Sequence, residues 1–304
     1  MKVLVTGSSG TIGSALCTNL LDRGHKVVGI DIKEQKWDKR IETIICDLRE
    51  TFPKLNYMPD VLVHLAANPF VRASVENPQL AKDNSRITEN VIAYWTENKI
   101  KHFIFGSSRE VYGNQNLDSF PENAVTGHTE SPYAESKLSS EEKIRKVSSD
   151  KGLSHTIVRF SNVYGRFDGY RSDGHTRVIP LFIKKCKQNE PLSVFGKDKK
   201  FDFTYIDDAV AGVVLCAEKQ PKNQTINLAT GIATPLHNVA EMIKHELKSS
   251  SEILFEGVKP GEVSHYAADI SKAKELLGYS PKVALKDGIH LTVEWYNEHP
   301  ETLG

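Results

Sequence analysis

Short apolar runs alternate with longer amphipathic stretches through the first half of the chain, the pattern of strand-helix repeats on a mostly parallel sheet. Runs at 2–6, 26–30, 43–46, 61–65, 102–106 and 155–160 read as strands, and apolar residues recurring three or four apart predict helices over 12–23, 83–98 and 132–151. Six such strands suit a doubly wound sheet, which binds its ligands at the carboxyl ends of the strands. After Tyr164-Gly165 the pattern turns irregular, with a polar stretch over 166–177 before a helix at 178–187. Further helices fit 237–248, 271–277 and 286–298, and 225–228 reads as a strand able to return to the main sheet. The expectation is an α/β chain: a first domain over 1–168 with a return segment near 204–232, and a smaller, discontinuous mixed lobe over most of 169–304.

Composition narrows the picture without redirecting it. The 304 residues are enough for two domains, and 39% hydrophobic with 26% charged residues excludes collagen-like and disordered chains. Lys plus Arg and Asp plus Glu both number 39, so no long-range field holds the protein on nucleic acid or an acidic membrane, and a bound anion must be met locally. The longest nearly apolar run, 61–67, is far too short for a membrane span, and the chain opens directly on a strand, which together predict a cytoplasmic protein. The 4 cysteines form no C-x-x-C pair and the 11 histidines show no H-E-x-x-H spacing, so neither a metal nor a disulfide framework is expected.

Candidate chemistry sits where a doubly wound sheet would place it. Thr6-Gly7-Ser8-Ser9-Gly10-Thr11-Ile12-Gly13 joins the first strand to the first helix. Its glycines allow a tight turn and close approach of a pyrophosphate, whose charge the helix N-terminal amides meet. Asp31 closes the second strand, where a carboxylate accepts from both ribose hydroxyls of an adenosine and repels a 2′-phosphate. That favours NAD over NADP, with Lys33 nearby as the opposing influence. Asp47-Leu48 after the third strand is placed to meet the adenine. Tyr133-Ala134-Glu135-Ser136-Lys137 puts a phenol and an ammonium one helical turn apart, and the cation would lower the phenol pKa for proton exchange with a substrate hydroxyl. Ser107-Ser108 follows the fifth strand, where a serine hydroxyl can bond the reacting oxygen.

Together with His64-Leu65-Ala66-Ala67, Val111-Tyr112-Gly113, the Arg159 to Gly165 strip with Asn162, Asp202-Phe203-Thr204-Tyr205-Ile206-Asp207-Asp208 and Ala268-Asp269-Ile270-Ser271-Lys272-Ala273, these motifs stand in the order seen in one family. Over nearly its whole length the chain resembles the extended short-chain dehydrogenase/reductase superfamily, in particular its nucleotide-sugar epimerases and dehydratases, such as the UDP-glucose/UDP-galactose 4-epimerases. The resemblance implies a Rossmann-type domain holding NAD through Gly7, Gly10, Thr11, Ile12, Gly13, Asp31, Asp47, Leu48, Leu65, Ala66, Ala67, Asn84, Tyr133 and Lys137. It implies catalysis by Ser108, Tyr133 and Lys137, with Glu110 beside them. A nucleoside diphosphate sugar, most often a UDP-sugar, is implied to meet Ser108, Asn162, Arg166, Arg177, Val178 and Lys259. A homodimer packed through the helices at 83–98 and 132–151 is implied as well.

Departures from the family pattern bear on the reaction. Phe201 stands where many UDP-sugar epimerases carry a diphosphate-binding arginine, and Lys259-Pro260-Gly261-Glu262 stands for an R-P-G-D pattern, which leaves Arg166, Arg171 or Arg177 as replacements. Lysine neutralises a phosphate but lacks the bidentate fork. Ser108-Arg109-Glu110-Val111-Tyr112-Gly113 resembles the strip of sugar-nucleotide dehydratases and decarboxylases, in which the glutamate removes a carbon-bound proton. Arg109, however, cannot serve as the acid that a 4,6-dehydratase needs beside it. Glu110 thus has two readings, a carbon base or a hydrogen-bonding structural residue. The function expected is NAD-dependent 4-epimerisation of a nucleoside diphosphate sugar through a 4-keto intermediate. The alternatives are a dehydratase or decarboxylase using Glu110, a reductase, and a non-catalytic NAD-binding sensor.

Overall fold

The computed structural model describes residues 1–127, 129, 131–169, 175–257 and 263–303. Its first half runs β1 (Lys2–Thr6), α1 (Thr11–Asp22), β2 (Lys26–Asp31), β3 (Glu42–Ile45), β4 (Val61–His64), α2 (Val71–Glu76), α3 (Gln79–Glu97), β5 (His102–Ser108), α4 (Pro132–Lys151) and β6 (Ser154–Phe160). The second half adds β7 (Asn162–Tyr164), α5 (Val178–Lys187), β8 (Leu192–Phe195), β9 (Lys200–Tyr205), α6 (Ile206–Lys219), β10 (Gln224–Leu228), β11 (Ala233–Pro235), α7 (Leu236–Glu246), β12 (Ile253–Glu256), β13 (His265–Tyr266), α8 (Ser271–Leu277) and α9 (Leu285–Glu298).

A seven-stranded parallel sheet in the order β10-β6-β5-β4-β1-β2-β3 forms the centre, with the order reversing between β1 and β4. Alternate strand residues explain why the sequence shows continuous apolar runs here. Val3, Val5, Val61, Val63, Ile104 and Val158 pack toward Leu16, Leu20 and Val213 of α1 and α6. The intervening Leu4, Leu62, Phe103, Phe105 and Ile157 pack toward Val91, Trp95 and Ile144 of α3 and α4. Both faces are covered, so neither face of these strands needs polar residues.

The strand at 224–228 does pair in parallel with β6, and the helix before it lies against α1 and the sheet. That helix, α6, is the largest element without a sequence signature: Ile206, Ala209, Val210, Val213, Val214, Cys216 and Ala217 are all buried, so its apolar surface wraps too far round to read as a stripe. The rest of the second half builds a mixed sheet in which β9 pairs with β11 antiparallel and with β13 and β7 in parallel, plus a β8–β12 pair. The strands β7, β11 and β13, of three, three and two residues, are too short for a period to show. A ring cluster fastens α9 to the first half: Trp37 lies 5.3 Å from both Phe167 and Trp295, and Thr11 Oγ1 donates to the Phe167 carbonyl at 3.2 Å.

Candidate active site

The β1–α1 turn is shaped by contacts that exclude side chains. Gly7 has φ +76°, and a Cβ there would meet the Ala66 amide nitrogen at 2.7 Å; one on Gly13 would meet the Gly7 carbonyl oxygen at 1.9 Å. No side chain caps α1 at Gly10, so the first-turn amides of Thr11, Ile12 and Gly13 are left for an anion. At the rim, Asp31 accepts from the backbone amides of Ser9 and Lys33, each at 3.0 Å, which fixes its carboxylate while leaving acceptor capacity for ribose hydroxyls. Leu65 and Ala66 pass close beneath Gly7, with the Ala66 amide 3.4 Å from Thr6 Oγ1. The segment continuing from Ala67 is held by Asn84, which accepts from the Asn68 amide at 2.7 Å and donates to its carbonyl at 3.0 Å. Asp47 is ion-paired to Arg49 at 2.6 Å, and the Leu48 side chain is buried in the core, so that pair offers mainly backbone to a ligand. These residues fit a dinucleotide: a glycine cradle that a Cβ would fill, unpaired helix amides and a fixed ribose-facing carboxylate.

Ser131 caps α4, its side chain accepting from the Ala134 amide at 3.4 Å, and this places Tyr133 and Lys137 one turn apart on the buried face. Lys137 Nζ donates to the Gly106 carbonyl at 2.7 Å and lies 4.8 Å from the Phe105 ring and 5.9 Å from the Tyr133 ring. Burial pushes this ammonium down to about 8 against the opposing pull of Glu141. Burial pushes the Tyr133 phenol up to about 12; a hydrogen bond with Ser108 and the charges of Arg177 and Arg109 oppose that, and Glu110 adds to it.

The two adjacent serines diverge. Ser108 turns to Tyr133 and accepts from the Glu110 amide at 3.2 Å, whereas Ser107 donates to Glu141 at 2.6 Å. Glu141 is fully buried and paired with Arg159 at 2.7 Å and Arg145 at 2.6 Å. Burial raises its carboxyl, but Arg159, Ser107 and Arg145 together hold it below the usual range. Sequence reasoning missed this support; its one signal is the spacing of Lys137 and Glu141, a turn apart on α4.

Beyond Ser108 lie the groups expected to meet substrate. Glu110 is paired with Arg109 at 2.7 Å, both nearly buried. Arg109 Nε donates to Asn162 Oδ1 at 3.2 Å, and the Asn162 amide donates to the Asp202 carbonyl at 3.2 Å. Arg166 grips Asp207 through two nitrogens at 2.6 and 2.8 Å, and Arg177, which precedes Val178 at the start of α5, binds Asp168 at 2.5 Å. Each of those arginines is therefore already paired, although Arg177 still lowers the Tyr133 phenol. Arg171 and Lys259 lie outside the described residues. Asp202 is a buried anchor, accepting from the amides of Thr230 at 3.0 Å and Gly231 at 2.7 Å and from the Thr230 hydroxyl at 2.7 Å.

The sequence model of the NAD dependent epimerase/dehydratase family matches residues 3–229. The chain belongs to that family. Among its relatives, an uncharacterized UDP-glucose epimerase of Bacillus subtilis is 34% identical over 309 residues, covering 95% of this chain and 96% of the relative. The solved UDP-glucose 4-epimerase of Thermotoga maritima, with UDP-glucose, superposes with a TM-score of 0.90 at 28% identity over 99% of this chain and 100% of that one. The UDP-glucuronic acid 4-epimerase of Bacillus cereus, with UDP-glucuronic acid and NAD, gives 0.86 at 30% identity over 98% and 100%. The family name carries the cofactor, and the glycine cradle beside Asp31 suits it.

Proposed function

We propose that the protein is an NAD-dependent 4-epimerase of a nucleoside diphosphate sugar, a UDP-hexose or UDP-hexuronate. The observation that carries this reading is the convergence of Ser108, Tyr133 and Lys137 at the carboxyl end of β5, beside the glycine cradle. NAD, when bound, supplies the acceptor and later the donor for the hydrogen at C4, and its positive ring adds to the charges that favour the Tyr133 phenolate. Tyr133 takes the proton of the C4 hydroxyl as the sugar becomes a 4-keto species, and returns it after the ring has presented its other face. Ser108 bonds the same oxygen, and Lys137 holds positive charge beside the phenol. Glu110 is paired to Arg109 rather than free, which favours its structural reading over that of a carbon base.

Residues 1–168 with the 204–232 return segment form the cofactor domain in this reading, and the mixed lobe receives the nucleotide sugar. The resemblance supports a cytoplasmic homodimer joined through α3 and α4. Their outward positions include Arg86, Glu89, Glu142 and Lys143, with Lys143 bridging to Glu89. Among the described residues no helix is long and apolar enough to cross a membrane.

The deciding experiment is incubation with UDP-, dTDP-, GDP- and CDP-sugars in deuterated water, products being resolved by NMR. C4 epimerisation breaks no C–H bond whose hydrogen exchanges with solvent, so the expected product carries no carbon-bound deuterium, and Glu110→Gln slows it by roughly tenfold or less. Deuterium at C5 or C6, with near-total inactivation of the glutamine variant, would move the assignment to the dehydratase or decarboxylase branch.

A further inference from the structure

Arg109 is held by a carboxylate, an amide and two rings, and one of its nitrogens is left buried without a partner. Its Nη2 is paired with Glu110 at 2.7 Å and its Nε donates to Asn162 at 3.2 Å. The guanidinium lies 4.8 Å from the Phe201 ring and 5.7 Å from the Tyr266 ring. Among the described residues Nη1 alone of its three nitrogens finds no partner, although it is buried. A guanidinium carries five N–H donors in a fixed plane and cannot shed its charge, so two buried donors without an acceptor are a cost that an arriving oxygen removes. The position is beside the reacting centre: Arg109 follows Ser108 directly, and its charge opposes, in part, the burial that raises the Tyr133 phenol.

We infer that Arg109 is the anion-receiving residue of the substrate site, its Nη1 taking an anionic oxygen of the nucleotide sugar. This deepens the epimerase reading and rests on it. The stacked aromatic rings and the Glu110 and Asn162 bonds fix the plane of the fork before substrate arrives, which spares the entropy of ordering a long side chain. Arg166 and Arg177 are held by Asp207 and Asp168, and neither has a nitrogen among the buried unpartnered atoms of the described residues. The anionic oxygen has two sources, the diphosphate or a carboxylate on C5 of a hexuronate, and both present the same acceptor chemistry.

Arg109→Gln tests this, because glutamine retains a polar partner for Glu110 and Asn162 and removes the charged fork. Three ligands separate the sources: UDP alone by calorimetry, and UDP-glucose and UDP-glucuronate by KM. If Nη1 takes a phosphate oxygen, UDP affinity falls at least tenfold and both KM values rise alike; returning a cation in Arg109→Gln/Phe201→Arg then restores part of the UDP affinity. If it takes the sugar carboxylate, UDP and UDP-glucose are unchanged while the UDP-glucuronate KM rises at least tenfold. All three constants staying within twofold of the parent, with NAD binding intact, would overturn the role of Arg109, since a water then suffices for Nη1. Should the glutamine variant lose NAD binding through misfolding, Arg109→Lys is read by the same three constants, with a threefold change as the threshold. The UDP titration does not depend on turnover. An enzyme that epimerises with unaltered constants defeats only this inference, and a parent enzyme inert toward every nucleotide sugar defeats only the epimerase reading.

Discussion

Tyr133 and Lys137 share one face of α4, and burial drives each toward its neutral form: the phenol up to about 12, the ammonium down to about 8. At neutral pH, below both values, the free protein holds a protonated phenol beside a charged ammonium, so further positive charge is needed to form a phenolate there. Tyr133→Phe removes the phenol oxygen and little else, since the ring packing and the bond from the Tyr133 amide to Ser74 at 3.1 Å remain. Turnover is expected to fall 100-fold or more with NAD affinity nearly unchanged, measured by steady-state kinetics beside calorimetry; retention of most activity would end the proposed proton route. At this scale the geometry legible in the sequence is local: the tyrosine-lysine turn on α4, the glycine turn and the end of β2 at Asp31. The sequence did not reveal the Glu141–Arg159 pair or the Arg109–Asn162 bond, because those partners lie far apart in the chain and only the folded sheet brings them together.

The same distinction governs the elements. The helix at 132–151 was legible to the residue because Ser131 caps it, Pro132 opens it and Gly152 ends it in the left-handed region at φ +64°. Helix α3 begins four residues before the expected start at 83: Pro78 stands at its N-cap, and buried Ala81 is followed along the inner face by the polar Asn84 and Thr88, which interrupt the apolar repeat. Helix α6 was not among the expected helices, and its packing is tight: a Cβ on Gly212 would meet Leu228 at 2.6 Å. Elements α4 and β6 are joined by the buried Glu141–Arg159 pair, in which Arg159 also donates to the Glu122 carbonyl at 3.0 Å and lies 4.7 Å from the Tyr112 ring. Arg159→Met would leave Glu141 buried with the half-exposed Arg145 as its remaining ion-pair partner among the described residues and Lys137 as a further nearby cation. Urea denaturation is expected to show a loss of about 3–5 kcal/mol, and Arg159→Met/Glu141→Leu to recover much of it. A loss below about 1 kcal/mol in the single variant would mean that Arg145 compensates.

For the whole molecule the central sheet carries a liability toward acid. Three histidines lie buried on it: His64 between Thr6 and Thr88, His102 between Ser154 and Thr156 at 2.8 and 2.9 Å, and His155 on β6. Burial pushes His102 and His155 down to about 4, each helped by a neighbouring positive or ionisable group, and holds His64 well below its ordinary range. The unfolded chain binds those protons near the ordinary histidine value of about 6.5 while the folded chain does not. Stability is therefore fully present above about 6.5 and is lost as pH falls toward 4. The loss is about 1.4 kcal/mol for each tenfold by which a proton prefers the unfolded chain, summed over the three rings. Asp168 and Asp202, raised by burial, act in the opposite sense, and the depressed carboxyls of Asp38, Asp47, Asp60 and Asp269 add their losses as they are protonated at still lower pH. The thermal midpoint should drop steadily between pH 7 and 4.5. His102→Gln keeps polar contacts to Ser154 and Thr156 without a titrating ring, so its midpoint should start lower yet fall less steeply over that interval. Parallel curves for the parent and the variant would show that the acid response originates elsewhere than in the buried histidine on β5.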